Sequence, residues 1–207
     1  MLLTLSTSRK LLYNGKLINF NTISIIYKLF CGPPFFGYNG EHGLKATKEQ
    51  VMHYWIVLVI TLILDRWSKH LIMARYELGE GLPLLGEWLS ILRVHNEGAA
   101  FSILQGRTTL FFVVGALVLA ACVYYNQRCE PSRLEQFALG LVCGGAVGNL
   151  IDRALYGGVV DFISVGWWPV FNVADSAIVV GALLIAVFAL RDMAGENRRQ
   201  EEATKQE

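Results

Sequence analysis

Residues Gly144–Asp175 read GGAVGNLIDRALYGGVVDFISVGWWPVFNVAD. A Gly-rich apolar helix closes on Asn149, Asp152 and Arg153. A short span then carries Asp161, and Asn172 and Asp175 stand at the mouth of a second apolar segment. Three carboxylates, two carboxamides and a guanidinium therefore crowd the ends of segments apolar enough for a bilayer. Ionisable side chains beside hydrocarbon are costly, and their retention marks a functional site.

Working outward, the whole chain has the composition of a polytopic membrane protein. Of its 207 residues 54% are hydrophobic and 17% charged, with a mean hydropathy of +0.42. The net charge of +1, with no basic patch interleaved with aromatics, gives no footing for nucleic acid. Cys31, Cys122, Cys129 and Cys143 lack the spacing of a zinc site or a disulfide framework.

Four apolar segments are expected to span the membrane, giving an all-α fold with a small extracytoplasmic β-sheet or cradle and an interfacial loop. The first runs from Met52 to Arg75. Asp65 and Lys69, four residues apart on one helical face, can pair within it. The bland alternative ends the bilayer at Leu64 and lets Arg66 and Lys69 snorkel to the interface. The second span is Thr108–Tyr125, the third Leu134–Ile151 and the fourth Phe171–Leu190. Gly140, Gly144 and Gly148 make a smooth stripe on the third, open either to a neighbouring helix or to a bound chain. In the loop 76–106, Trp88–Val94 and Ala99–Leu104 read as a pair of short strands. Residues 154–170 read as a loop on the bilayer surface, anchored by Trp167 and Trp168.

Domain organisation follows. Residues 1–51 are a poorly ordered extension, with Met52 as an alternative start. Residues 52–191 are the four-helix domain, and 192–207 are a polar cytoplasmic tail. Four spans put both termini on one side and bring every polar group singled out to the opposite face. Of 18 Lys and Arg, 12 lie in the N-terminal region, the 126–133 turn and the tail, and four lie opposite. The positive-inside rule places the termini in the cytoplasm. Without residues 1–51 the bias is six against four.

The chemistry that remains open to this cluster is that of carboxylates. His53, His70 and His95 have neither metal-ligand spacing nor a nucleophile partner. Two facing acids share one proton, so one activates water while the other protonates a carbonyl oxygen. Asp161 and Asp175, each at the water's edge, are the candidates. A small proton-coupled transporter is the rival reading, although it would want its acid deep in a helix.

Five motifs in order carry a resemblance: Asp65-x-x-Ser68-Lys69; Asn96-x-Gly98-Ala99-Ala100-Phe101; Gly144-Gly145-Ala146-x-Gly148-Asn149-x-x-Asp152-Arg153; Gly158-x-Val160-Asp161-Phe162; and Phe171-Asn172-x-Ala174-Asp175. From Met52 to Arg191 the chain resembles the bacterial lipoprotein signal peptidases (signal peptidase II). These membrane aspartyl proteases remove signal peptides from diacylglyceryl-modified prolipoproteins, cutting before the lipidated cysteine. The resemblance implies Asp161 and Asp175 as the catalytic dyad. Asn96, Asn149, Arg153 and Asn172 would position substrate, the inhibitor globomycin or the acids themselves. Asp152 would be a structural partner, Asp65 and Lys69 would shape the site, and Gly98, Gly145 and Ala174 would support it. No cofactor or metal is implied. The location implied is the bacterial inner membrane, among membrane lipid, with the active site near the outer face.

Overall fold

The computed structural model describes residues 9–13, 16–20, 48–86, 88–98, 108–129 and 131–205. Its helices are α1 (Lys48–Arg75), α2 (Thr108–Arg128), α3 (Arg133–Tyr156) and α4 (Val173–Lys205). A two-stranded antiparallel hairpin, β1 (Arg9–Tyr13) and β2 (Lys16–Phe20), precedes them. A second antiparallel sheet has the order β3 (Gly81–Leu85), β4 (Leu89–Asn96), β5 (Val159–Val165). The first helix thus begins at Lys48, four residues ahead of the Met52 expected from the sequence. The expected strand at 99–104 lies outside the described residues.

Local chemistry sets these bounds. α3 opens on a reciprocal cap in which the Ser132 hydroxyl accepts from the Glu135 N–H and the Glu135 carboxylate accepts from the Ser132 N–H. It closes on Gly157, whose φ of 78° suits a residue without a Cβ. The helix is therefore longer than the sequence reading, and Asp152 and Arg153 lie inside its last turns.

α3 is the centre of the bundle and packs against α1, α2 and α4. Gly140 and Gly144 bring the backbone of α1 close. A Cβ on Gly140 would stand 2.9 Å from the Tyr54 carbonyl, and one on Gly144 would stand 2.7 Å from that of Leu58. A Cβ on Gly148 would strike the Asp65 carboxylate. The Gly stripe is therefore the seat of α1, and no bound chain can occupy it. Gly145 and Gly181 do the same for α4, meeting the backbone carbonyls of Ala174 and Ala138. Tyr54, Cys122, Leu139, Val142 and Cys143 fill the core between them.

Outward, the helices expose large apolar side chains such as Leu117, Leu183 and Leu190, the arrangement of a protein whose solvent is lipid. Among the described residues three helices are long and apolar enough to cross a membrane: Thr109–Gln127, Arg133–Tyr156 and Val173–Arg191. The fourth expected span, on α1, is not among them, because Asp65, Arg66 and Lys69 interrupt its apolar run. Of the loop expected at 154–170, residues 154–156 are the end of α3 and Val159–Val165 are β5. Gly166–Val170 then turns the chain back so that Phe171 pairs with Ile163.

The close approach at Gly144 carries a prediction. Gly144→Val overfills the α1–α3 contact, where both the Leu58 carbonyl and the Thr61 Cβ lie within 2.7 Å of the new Cβ. Overpacking costs about 1–3 kcal/mol, so the thermal midpoint in detergent falls. Gly115→Ala is the control, because its Cβ meets only the end of the Leu150 side chain. Equal midpoints for the two variants would contradict this packing.

Candidate active site

β5 delivers the first acid. Val94 of β4 stands opposite Asp161, so Asn96, two residues on, shares the same face of the sheet. The Asn96 amide reaches across and donates to Asp161 Oδ2 at 2.9 Å. The Asn96 carbonyl oxygen accepts from the Gly98 N–H at 3.0 Å, which fixes which end of the amide faces the acid. Asp161 is 2% exposed. Burial pushes its carboxyl up to about 7, the negative charge of Asp175 adds to the effect, and the amides of Asn96 and Asn172 oppose it.

The second acid lies in the first turn of α4. Asn172 caps that helix: its Oδ1 accepts from the Asp175 N–H at 2.9 Å, while Asp175 Oδ2 accepts from the Asn172 N–H at 3.2 Å. This reciprocal cap leaves the Asn172 NH₂ free to donate to Asp161 Oδ1 at 2.6 Å. One side chain therefore starts the helix and ties the two acids together. The Phe171–Ile163 pairing beside it fixes how far the helix mouth stands from the strand.

Beneath the acids lies a buried ionic cluster. Lys69 Nζ sits 3.0 Å from Asp65 Oδ2, 2.8 Å from Asp152 Oδ2 and 2.9 Å from Asn149 Oδ1. Lys69, Asp65 and Asp152 have no solvent exposure. Arg66 pairs with Asp152 Oδ1 and contacts the Gly148 carbonyl. Asp65 Oδ1 accepts from the Ala174 N–H and Asp152 Oδ2 from the Val160 N–H, so the cluster grips both α4 and β5. Asn149 completes the link upward, donating to Asp175 Oδ1 at 2.7 Å.

Above the acids is a cleft of about 260 Å³. Asn96, Asn149, Arg153, Asp161 and Asp175 give it a polar floor, and Trp168, Phe171, Ile178 and Val179 give it apolar walls. The Arg153 guanidinium stacks 4.3 Å from the Phe111 ring centre and donates to the Gly98 carbonyl at 3.1 Å. Its Nε is buried without a hydrogen-bond partner among the described residues.

All twelve residues singled out from the sequence gather here, in two tiers. Asn96, Gly98, Asn149, Arg153, Asp161 and Asp175 line the cleft, and Asn172 bridges the acids. Asp65, Lys69, Asp152, Gly145 and Ala174 lie below, as support. Lys69 does not snorkel. Arg66, which the alternative reading of the sequence left at the interface, is an ion-pair partner of Asp152, and no spacing signal connects residues 86 positions apart. The Phe111 platform was equally silent, being one apolar residue in an apolar run. Among the described residues no three His, Cys, Asp or Glu side chains gather as a metal-ligand set.

A family model described as Signal peptidase (SPase) II matches residues 57–191. The lipoprotein signal peptidase of Syntrophomonas wolfei is 46% identical over 147 residues, covering 71% of this chain and 99% of that protein. That of Geobacillus kaustophilus is 44% identical over 140 residues, covering 65% and 90%. A bacterial membrane enzyme solved by the in meso method at 2.3 Å superposes with a TM-score of 0.67 at 32% identity, covering 75% of this chain and 96% of its own. A second, at 1.9 Å, gives 0.63 at 33%, covering 73% and 99%.

Asp152 separates support from chemistry. Asp152→Asn leaves Lys69 and Arg66 without their shared carboxylate, and breaking a buried pair costs about 3–5 kcal/mol. Folded yield and thermal midpoint should fall well below those of Asp175→Asn, whose side chain is at the water's edge. A midpoint for Asp152→Asn equal to wild type would show that the cluster does not hold the fold.

Proposed function

The chain belongs to the signal peptidase II family, and from that premise we propose how its residues remove signal peptides from lipoproteins. The enzyme is a multi-pass membrane protease of the aspartyl type. Its substrates are prolipoproteins bearing a diacylglyceryl-modified cysteine, and the cut falls just before that cysteine. Asp161 and Asp175 are the catalytic dyad. The observation that carries this reading is the Asn172 bridge, which holds a buried acid of the strand against an acid at the helix mouth, on the floor of a cleft.

The chemistry follows from the unequal surroundings of the two acids. Asp161, pushed up to about 7, holds the shared proton, and Asp175 acts as base. Asp175 takes a proton from water, the oxygen attacks the scissile carbonyl, and Asp161 protonates the carbonyl oxygen. As the diol collapses and the C–N bond breaks, Asp175 gives its proton to the departing amine and Asp161 takes one back from a diol hydroxyl, restoring both acids. Arg153, stacked on Phe111 with Nε unsatisfied, is placed to fix a substrate carbonyl. Trp168, Ile178 and Val179 supply an apolar wall for the signal peptide. Globomycin is expected to compete for the same cleft.

α1 is the fourth span in this reading. Asp65 and Lys69 are turned into the bundle, while Ile56, Ile60, Ile63, Leu64 and Trp67 are exposed on its other side. Such a helix shows lipid an apolar surface despite its charges. Four spans then place both termini in the cytoplasm and the dyad near the outer face. Residues 52–191 are the peptidase domain, and 1–51 lie outside the catalytic unit. The transporter alternative has no support, since both acids lie at one end of their elements and the family is a peptidase family.

Asp161→Asn and Asp175→Asn keep shape while removing one titratable group each. Each should lower processing of a lipidated precursor by at least the 10²–10⁴-fold that general acid–base catalysis supplies, with membrane yield unchanged. Precursor processing in cells lacking their own enzyme measures this, and near-normal processing by either variant would unseat the dyad.

The pH profile tests the division of labour. As pH rises through about 7 Asp161 loses its proton, so turnover of purified wild-type enzyme should decline across that range. Asn96→Ala removes an amide that lowers the proton affinity of Asp161, so its decline should move to higher pH. A profile flat from pH 6 to 9, or shifted the other way in Asn96→Ala, would reverse the assignment.

A further inference from the structure

The amides around the dyad are turned the same way. Three asparagines each present an NH₂ to an acid, and each has its carbonyl oxygen held by a group that can only donate. The Gly98 N–H holds Asn96, the Asp175 N–H holds Asn172, and the Lys69 ammonium holds Asn149. Two of these anchors are backbone. The third is a side chain, buried on another helix, that touches neither acid.

We infer that Lys69 is a positioning residue for hydrolysis, holding the Asn149 oxygen so that the Asn149 NH₂ stays turned to Asp175 through the catalytic cycle. The inference rests on the peptidase reading above. An amide is nearly symmetric in shape, and only its partners decide its orientation. While Asp175 is ionised it selects the NH₂ itself. Once it has taken the proton of water, an unrestrained amide gains by turning its oxygen to accept that proton. The proton would then be held on Asp175 and withheld from the departing amine. Lys69 forbids the turn, because its ammonium has no lone pair to offer an NH₂. Asn172 adds a second, longer contact to the same oxygen, at 3.3 Å.

The other charges of this region leave the geometry intact. On α1, Asp65 and Arg66 face Lys69 and Asp152 respectively. On α3, Asp152 pairs with Lys69 and Arg66, while Arg153 reaches the Asn149 carbonyl of the backbone and not its amide. On β5, Asp161 is reached by Asn96 and Asn172. Among the described residues Lys69 is thus the cation bonded to the Asn149 amide oxygen.

A double-mutant cycle on purified enzyme reads the coupling. The probe is a fluorogenic peptide bearing an S-diacylglyceryl cysteine, and activity is expressed per folded molecule. Lys69→Met should lower kcat by roughly 10- to 10²-fold, the scale of a misplaced catalytic group, with KM little changed. Asn149→Ala should do the same, and the double variant should match Asn149→Ala within about twofold, because the two changes remove one interaction. Losses that multiply, or an unchanged kcat in folded Lys69→Met, would overturn the inference. Should Lys69→Met give no folded protein, the same cycle is run in an Asp65→Asn background, where removing Lys69 leaves Asp152 as the remaining acid, already paired with Arg66, and the same outcomes decide. Activity in Asp161→Asn and Asp175→Asn would instead remove the dyad assignment on which the inference rests. If those variants are dead and the losses at Lys69 and Asn149 still multiply, only the role given to Lys69 fails.

Discussion

Lys69 has no solvent to neutralise it, and that constraint organises the rest of the molecule. An ammonium out of water needs anions and acceptors on every side. Here they come from three places in the chain: Asp65 one turn back, and Asp152 and Asn149 on α3. The second oxygens of the acids take the Ala174 N–H of α4 and the Arg66 guanidinium, and the Asp152 oxygen that faces Lys69 also accepts from the Val160 N–H of β5. Two cations and two anions close a neutral cluster that touches every element on which the dyad stands. Replacing such a cluster by apolar residues can be neutral for stability. Its value here is positional, because directional bonds fix α1, α3, α4 and β5 to one another where apolar packing would let them slide.

From that anchor the two acids are placed by backbone geometry. Asp161 is set by the register of β5 against β4, and Asp175 by its position in the first turn of α4, where the exposed N–H groups and helix dipole favour a carboxylate. Strand and helix are made neighbours by the short return through Gly166, whose φ of 49° is left-handed. Asn172 then measures the gap. A strand acid and a helix acid in unlike surroundings are what a shared proton needs, since equal acids would give it no preferred home.

The sequence carried the polar positions well, because charge in an apolar run needs no periodicity to be noticed. Asp65, Lys69, Asn149, Asp152 and Asp175 stand out against their neighbours, and the four spans expected from the sequence bring them to one face. β5 did not stand out. Val159, Val160, Asp161 and Phe162 are all buried, so the alternation that announces a half-exposed strand is absent. The Gly stripe was legible as a close-packing surface but silent on its partner, since small residues admit any backbone equally. α1 was legible as a helix, while the direction its charges face depends on Arg66 finding Asp152, a contact between distant residues.

On the proposed function, the surroundings of the cleft bear on how a lipid-linked substrate would reach an acid 2% exposed. Its polar floor is inside the protein, yet two wall residues, Trp168 and Val179, are also on the outer surface, at 52% and 57% exposure. The wall is therefore continuous with the face that α4 turns to lipid. A peptide arriving sideways from the bilayer keeps its apolar side chains on that surface and turns only the scissile bond inward. Little apolar area is then exposed to water on the way, and the barrier to entry falls on desolvating one peptide group. The ring of fixed amides and Arg153 is suited to receive that group, because its dipoles are already oriented before the substrate arrives.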